Sequence, residues 1–279
     1  NFTSAERAFL FGSVTGNTIY EQTSVEAYVT GNVFTLPAGP VGMVLGALYQ
    51  AASIDDQPAQ EIQDGQAWGS SSAQITQGED ATTAVYVELG VPLLKDLPFA
   101  DELTFTASGR YNDVDSYGSE STYKAGLNWQ ITPSFRARAS QGTSFRSPAL
   151  FELFLAGQTA FLRQRVIDPC VNWGANLATG AITQRIADNC AADGIPNNHN
   201  GAGSSATVTT SGGFGTLAAE TSTSKSFGVI WTPQFADLSV SVDYFDIEVE
   251  DEVTLLGAQN IMLGCYDSLN FATEPLCNL

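Results

Sequence analysis

The chain contains the same strand–turn–strand pattern twice, and in each copy the first strand has a tryptophan near its end. One copy leads through Trp129 to a Thr-Pro turn at Pro133, and the other leads through Trp231 to a Thr-Pro turn at Pro233. A second alternating segment follows each turn. Repeated hairpins with an aromatic residue near the turn are typical of large membrane β-barrels. The repeat therefore predicts an all-β chain whose Thr-Pro turns lie at one membrane interface.

Eight segments alternate apolar and polar residues with a period of two, which is the pattern of a strand with two different faces. In one of them Leu103, Phe105 and Tyr111 share a face, while Arg110 lies on the other. The predicted strands are 25–36, 41–52, 83–93, 103–113, 121–131, 135–145, 221–231 and 238–249. The last strand changes phase near Phe245, which predicts a bulge or a departure from the bilayer.

The connections between these strands alternate between short and long. The short ones are 37–40, 94–101, 132–134 and 232–237; the others are 53–82, 114–120 and 146–220, with 250–279 after the last strand. Outer-membrane barrels have short periplasmic turns and long extracellular loops, whereas a soluble sandwich has no reason to sort its loops in this way. The pattern predicts an antiparallel transmembrane β-barrel with that arrangement of turns and loops.

The composition argues against several classes of function. The 30 acidic and 11 basic residues give a net charge of −19, and a nucleic-acid partner would need basic patches instead. The single histidine, His199, cannot supply a metal site of several histidines or a convincing Ser-His-Asp set. No glycine-rich phosphate loop follows a strand and opens a helix. We therefore expect no enzyme activity, no cofactor and no metal.

The four cysteines all fall in predicted extracellular segments, where an oxidising compartment favours disulfides. They are Cys170, Cys190, Cys265 and Cys277. Three pairings are possible. Pairing Cys170 with Cys190 and Cys265 with Cys277 closes the shortest loops and is the one we expect. A zinc site is disfavoured because the sequence has no Cys-x-x-Cys pair.

The predicted loops differ in charge. Segments 53–82 and 250–279 are acidic and contain no basic residue, so they are either solvated loops or a rim that binds divalent cations or lipopolysaccharide. Loop 146–220 instead holds half of the arginines, and this combination of arginine, tryptophan and asparagine suits a sugar or an anionic chelate. The predicted ligand contacts are Trp68, Arg146, Arg163, Arg165, Asn172 and Trp173, although these side chains could also pack the loop on itself.

The polar faces of the strands carry four basic residues. Arg110, Lys124, Arg136 and Arg138 are predicted to face the lumen of the barrel. There they would offer positive charge to a ligand or to a domain inside the barrel. The alternative is that they form salt bridges in the lumen, with such a domain or with neighbouring strands.

Several stretches resemble TonB-dependent outer-membrane receptors. Residues 145–153 read Phe-Arg-Ser-Pro-Ala-Leu-Phe-Glu-Leu, similar to the family's Phe-Arg-x-Pro-x-Leu-x-Glu-Leu element. Residues 217–220 read Leu-Ala-Ala-Glu and, with Gly228, resemble a Leu-x-Pro-Glu segment in which Ala219 replaces the proline. Residues 243–248, Asp-Tyr-Phe-Asp-Ile-Glu, and the Asp-Pro-Cys element at 168–170 are also similar to the family.

The resemblance implies a barrel of about 22 strands, closed by an N-terminal plug and driven by the TonB–ExbB–ExbD system through a TonB box. About eight strands are predicted here, so residues 1–279 are expected to form a partial barrel domain without plug, TonB box or final strand. The implied function is active import of a large scarce solute, an oligosaccharide, an iron chelate or cobalamin, across a Gram-negative outer membrane. Lipid and lipopolysaccharide would surround the barrel. The alternative is a passive porin or a structural or adhesive barrel.

Overall fold

The computed structural model describes residues 2–67, 69–201 and 205–279. Its main feature is an eight-stranded antiparallel sheet. The strands are β1 (Asn17–Leu36), β2 (Gly39–Gln57), β3 (Thr76–Leu97), β4 (Ala100–Val114), β5 (Gly118–Thr132), β6 (Phe135–Arg146), β9 (Glu220–Trp231) and β10 (Val240–Glu250). All eight predicted strands are confirmed, and strands consecutive in this sheet are neighbours in space.

One face of the sheet is apolar and uncovered. Cross-strand partners on this face include Leu45 with Val87 and Leu103 with Trp129. Leu45 is 50 % exposed and Phe227 is 54 % exposed. A soluble sandwich would bury such a face, but no second sheet covers it within the described ranges. A contiguous exposed apolar surface of this extent is suited to lipid.

Aromatic residues border the apolar face at both ends. Trp129, Phe135 and Trp231 lie beside the short turns, and Phe135 pairs directly with Trp231. The Trp129 indole N–H donates to the backbone carbonyl oxygen of Phe99 in a neighbouring turn, at 2.9 Å. Tyr49, Tyr111 and Tyr123 lie towards the other ends of their strands. Two aromatic belts around an apolar band are the pattern expected at the two interfaces of a bilayer.

Two predictions about the connections are wrong. The β4–β5 connection is a tight turn at 115–117 rather than a moderate loop, so short and long connections do not alternate strictly. The loop predicted at 53–82 covers only 58–75, because β2 continues to Gln57 and β3 begins at Thr76. Asp55 and Asp56 therefore belong to β2, and Glu79 and Asp80 belong to β3.

The predicted bulge near Phe245 is also wrong. The β9–β10 register runs without a shift from Val240 opposite Trp231 to Glu250 opposite Thr221. The apolar side chains after Tyr244 therefore lie on the polar face of the sheet. Register shifts occur elsewhere, including one in β3 between Pro92 and Leu94, where proline has no N–H to give to the ladder.

The long connection between β6 and β9 and the segment after β10 fold into a set of short elements. Residues 147–219 contain α3 (Leu150–Phe154), β7 (Gln158–Arg163), α4 (Gln164–Ile167), α5 (Trp173–Ala178), α6 (Gln184–Ala192) and β8 (Ser205–Thr210). Residues 251–279 contain α7 (Ala258–Tyr266) and two 3₁₀ turns, Phe271–Thr273 and Pro275–Asn278. We call residues 147–219 and 251–279 together the loop cap. The remaining helices are α1 (Ser4–Leu10) and α2 (Gln60–Gln63).

The helices are all short. Within the described part of the chain, none is long and apolar enough to cross a membrane.

Candidate functional site

The loop cap begins at an arginine held by two carboxylates. The Arg146 guanidinium donates to Glu152 at 2.9 and 3.1 Å and to Glu220 at 2.7 and 2.8 Å. Glu152 also accepts the Ala149 N–H at 2.6 Å, and Glu220 accepts the Val253 N–H at 2.7 Å. We call Arg146, Glu152 and Glu220 the root cluster. It joins the end of β6, helix α3, the start of β9 and the segment after β10.

Helix α3 leads the chain from β6 across to β2 and β3. Phe154 packs on Gly78 of β3, where an added Cβ would overlap the ring, so only glycine fits below it. The Ala156 N–H donates to the buried Thr76 hydroxyl at 3.1 Å. The α3 side chain Leu153 is only 2 % exposed. These contacts hold the root of the loop against the polar face of the sheet.

The outer part of the loop cap has a small core of its own. Its centre consists of Cys170, Ile186, Cys190, Cys265 and Tyr266, all buried. Both expected disulfides, Cys170–Cys190 and Cys265–Cys277, are present. Each disulfide closes a loop within its own segment, and the shared core joins the two segments to each other.

Polar contacts reinforce this junction. The Asn189 amide donates to the carbonyl oxygens of Tyr266 and Ser268 at 2.8 and 2.9 Å. The Tyr266 hydroxyl donates to Asp193 at 2.7 Å, and burial raises the pKa of Tyr266 well above its ordinary value. The Arg185 guanidinium lies 3.0 Å from Asp267 and lowers the pKa of that carboxyl. Residues 147–219 and 251–279 therefore form one body.

The structure places the predicted ligand contacts of the long loop in different roles. Arg146 is fully engaged in the root cluster. Trp173 packs against the disulfide core and donates its indole N–H to the Ile195 carbonyl at 2.9 Å, as the alternative of internal packing predicted. Arg165 donates to the Asn200 carbonyl at 2.8 Å, and the exposed Asn172 takes a left-handed conformation before α5.

The other two predicted ligand contacts are Arg163 and Trp68. Arg163 is exposed at the end of β7, and among the described residues no hydrogen bond or ion pair engages its side chain. Trp68 lies outside the described residues. No contact with a ligand is tested for any of the six residues, and their ligand-binding role stays a prediction.

The four basic residues share the polar face, as their strand phase predicts. Arg138 forms a two-point ion pair with Asp243 at 2.8 and 2.9 Å, which confirms the salt-bridge alternative for this residue. Arg136 donates to Gln130. Arg110 donates to Asn112 at 2.7 Å and lies over the Tyr86 ring, 5.7 Å from its centroid. Lys124 lines a cavity of about 320 Å³ with Glu26 and Glu88.

The Arg138–Asp243 pair passes over a glycine. Arg138 on β6 pairs with Gly228 on β9, which pairs with Asp243 on β10. The glycine leaves room for the two charged side chains to meet above the middle strand. Sequence reasoning named Arg138 and Gly228 separately and missed Asp243 as the partner, although counting the register along three strands would have found it.

A Gly228→Ala substitution is therefore expected to separate the ion pair, because the new Cβ would overlap the Asp243 carboxylate. We expect a loss of about 1–3 kcal/mol in stability, as for overpacking elsewhere. Urea unfolding of the full-length receptor measures it. Gly90→Ala is the matched control, since nothing lies within 4 Å of an added Cβ there. Equal effects of the two substitutions would refute the role assigned to Gly228.

The loop cap is also expected to loosen in acid. Hydrogen bonds from Arg146 lower the pKa of Glu152, and those from Arg185 and Thr183 lower the pKa of Asp267. A carboxyl with a lowered folded-state pKa contributes stability above its unfolded value, and this is lost as the pH falls through the folded value. Amide exchange in the cap, corrected for intrinsic rates, should stay constant from about pH 7 to about pH 5 and rise below about pH 4. A flat profile throughout would show that neither carboxyl holds the cap.

An apolar cavity lies in the loop cap, close to the root cluster. Its volume is about 420 Å³, and it lies between α3, residues 210–217 and residues 253–255. Phe151, Leu155 and Leu255 contribute to its apolar lining, and Glu152 is its one charged residue. Sequence reasoning missed this cavity because its walls come from segments as far apart as Phe151 and Leu255.

In the described part of the predicted acidic rim, segments 53–82 and 250–279, no group of three or more His, Cys, Asp or Glu side chains could hold a metal ion. Contact of this rim with lipopolysaccharide stays a prediction.

The sheet with an exposed apolar face, two aromatic belts and a polar opposite face defines the wall of a membrane β-barrel. The family model described as TonB dependent receptor-like, beta-barrel, matches residues 1–274, and the chain belongs to that family. The fold class, an antiparallel barrel wall with long loops at one end, is thereby confirmed. Members of this family reside in the outer membrane of Gram-negative bacteria and transport solutes across it.

Solved structures show the same fold. The ferric enterobactin receptor PfeA from Pseudomonas aeruginosa, as a Q482A mutant with enterobactin, is 15 % identical with a TM-score of 0.55, over 83 % of this chain and 27 % of that chain. The siderophore receptor PirA from Acinetobacter baumannii is 14 % identical with a TM-score of 0.51, over 85 % of this chain and 28 % of that one. The open sheet corresponds to part of their barrels, and this chain spans about a quarter of their length.

Curated relatives match a short stretch of the chain. The vitamin B12 transporter BtuB of Vibrio cholerae is 38 % identical over 48 residues, which is 17 % of this chain and 8 % of that protein. This match supports the family and covers too little of either chain to transfer a substrate.

Proposed function

We propose that this chain forms part of the wall and outer surface of an active importer in the outer membrane. The importer takes up a large scarce solute, an oligosaccharide or an iron chelate, and residues 1–279 supply a partial barrel domain. The observation that carries the proposal is the family match over residues 1–274, joined to a polar wall that ends in a folded loop cap. A folded cap at the outer end of the wall suits capture of a solute, since binding loops held on a rigid scaffold need little ordering.

The plug and the TonB–ExbB–ExbD system are the proposed partners. Arg110, Lys124 and Arg136 are the proposed wall residues facing the plug. They lie on the polar face, and of the four basic residues there Arg138 alone has an ion pair within the described ranges. Lipid and lipopolysaccharide are proposed to surround the apolar face. Arg163 is a proposed ligand contact, because its side chain is exposed. No enzyme activity is proposed for this architecture.

Energy-coupled uptake tests the proposal. Cells that produce the full-length receptor are supplied with radiolabelled oligosaccharides and ferric chelates, with and without a functional tonB gene. We expect accumulation of at least one solute only when TonB is present. Uptake of the same solute at the same rate without TonB would contradict the proposal.

The passive porin makes the opposite prediction. Purified full-length protein in a planar bilayer would then give steady ion conductance without any energy source. An importer closed by a plug is expected to show little conductance. Stable open channels would therefore favour the porin alternative.

A further inference from the structure

We propose that the apolar cavity of the loop cap, together with the wall below it, binds a neutral carbohydrate. This inference rests on the proposed import function and names the class of its solute. The cavity volume of about 420 Å³ falls in the usual range for small-molecule sites. It is lined by Phe151, Leu155, Leu217, Val253 and Leu255, with Gln158, Thr210, Ser211 and Thr254 also contributing.

The apolar and the uncharged polar side chains of the lining suit the C–H face and the hydroxyl groups of a sugar ring, respectively. The C–H face of a pyranose packs on an aromatic ring, and Phe151 is 42 % exposed in the cavity lining. The hydroxyl groups of a sugar need donors and acceptors around that apolar floor. Gln158, Thr210, Ser211 and Thr254 carry such groups, and no side-chain hydrogen bond engages them among the described residues.

The walls of the cavity are held in place before any ligand arrives. The Gly212 N–H donates to the Leu155 carbonyl at 2.7 Å, and the Gly213 N–H donates to the Glu152 carbonyl at 3.0 Å. The backbone approaches so closely at Gly212 that an added Cβ would overlap the Leu153 carbonyl. A cavity with fixed walls loses little conformational entropy on binding.

The charges of the site disfavour an anionic chelate. The single charged residue of the lining is Glu152, which is paired with Arg146. Arg146 is also paired with Glu220, so the root cluster has one positive and two negative charges and offers no free positive charge to a ligand. The whole chain carries a net charge of −19, which repels anions at long range. A neutral solute meets none of these penalties.

The polar face of the sheet below the root cluster also combines hydroxyl groups with apolar side chains. Ser144 bonds Ser222 across β6 and β9 at 2.8 Å, and Ser140 bonds Ser226 at 2.8 Å further down. On the adjacent strand the partners of this serine column are apolar: Val249 lies opposite Ser222, Ile247 opposite Ser224 and Phe245 opposite Ser226. A column of hydroxyls beside an apolar column continues from the root cluster down to the Arg138–Asp243 pair.

Calorimetric titration of the purified full-length receptor tests this site. The probes are maltohexaose, cellohexaose and xylohexaose, with a ferric catecholate for comparison. We expect at least one oligosaccharide to bind and Phe151→Ala to weaken it about threefold to tenfold, the effect of losing one aromatic contact. Thr254→Trp, at an exposed position in an irregular segment, should fill the cavity and weaken binding without disturbing the fold. Phe161→Ala, an exposed aromatic outside the cavity lining, is the matched control and should bind normally.

The outcomes separate the two proposals. Absence of binding by all three oligosaccharides overturns the carbohydrate site, as does binding that Phe151→Ala and Thr254→Trp leave unchanged. If TonB-dependent uptake of the ferric catecholate is then observed, the import function stands and only the solute class is wrong. If oligosaccharide binds at the cavity but no solute is accumulated by energised cells, the import function fails while the site stands.

Discussion

Replacing Arg146 with alanine is expected to release the root of the long loop. The substitution leaves Glu152 and Glu220 facing each other without the guanidinium that bonds both of them. Removing one partner of a charge cluster is costly because the remaining charges lose their compensation and repel each other. The hydrogen bond from Val253 to Glu220 would weaken as well, so the segment after β10 should also become mobile.

Limited proteolysis of the full-length receptor measures this effect. We expect the cleavage rate within 147–219 to rise roughly tenfold or more, since cleavage follows the population of locally opened states. Arg163→Ala is the matched control, because it removes an arginine from the same loop at an exposed position without an ion pair in the described structure. If Arg146→Ala is cleaved no faster than Arg163→Ala, the root cluster does not anchor the loop.

Removing the Cys170–Cys190 disulfide is expected to loosen both segments of the loop cap. A bridge that closes a loop of this size stabilises the folded form by about 2–4 kcal/mol. The two cysteines lie in the same buried cluster as Cys265 and Tyr266, which belong to the other segment. The loss should therefore extend to α7, although the second disulfide remains intact.

Hydrogen exchange followed by mass spectrometry distinguishes a shared core from two separate ones. In a Cys170→Ser, Cys190→Ser variant of the full-length receptor, we expect faster exchange in 164–195 and in 258–278. Strands β4 and β5 serve as the internal control, because the hydrogen-bonded ladder between them includes no residue of the cap. Faster exchange confined to 164–195 would show that the two segments fold independently.

The sheet could be predicted from sequence because period-two alternation reports directly on its two faces. Leu103, Phe105 and Tyr111 were placed on one face and Arg110 on the other, as the structure has them. Strand ends were predicted less well. β2 and β3 continue through Asp55 and Glu79. The apolar pattern ends at these charged residues, but the strands continue because their backbone hydrogen bonds do not depend on the side chains.

The loop cap could be predicted only in part. The disulfide pairing followed from loop length, since the bridged cysteines are 20 and 12 residues apart. The short helices α3 to α7 were missed because helices of this length depend on tertiary contacts rather than on their own sequence. The root cluster was missed for a similar reason: Arg146 and Glu220 are 74 residues apart, and only the β6–β9 register brings them together.

The central claim is that the apolar face meets lipid and the polar face meets the interior of a barrel. Nitroxide labels placed singly at residues 123–131 of β5, in the full-length receptor in lipid vesicles, test it most directly. We predict high accessibility to oxygen at the odd-numbered positions, which include Leu127 and Trp129, and low accessibility at the even-numbered ones, which include Lys124 and Asn128. Equal accessibility at both sets of positions, or the inverse pattern, would contradict the barrel wall described here.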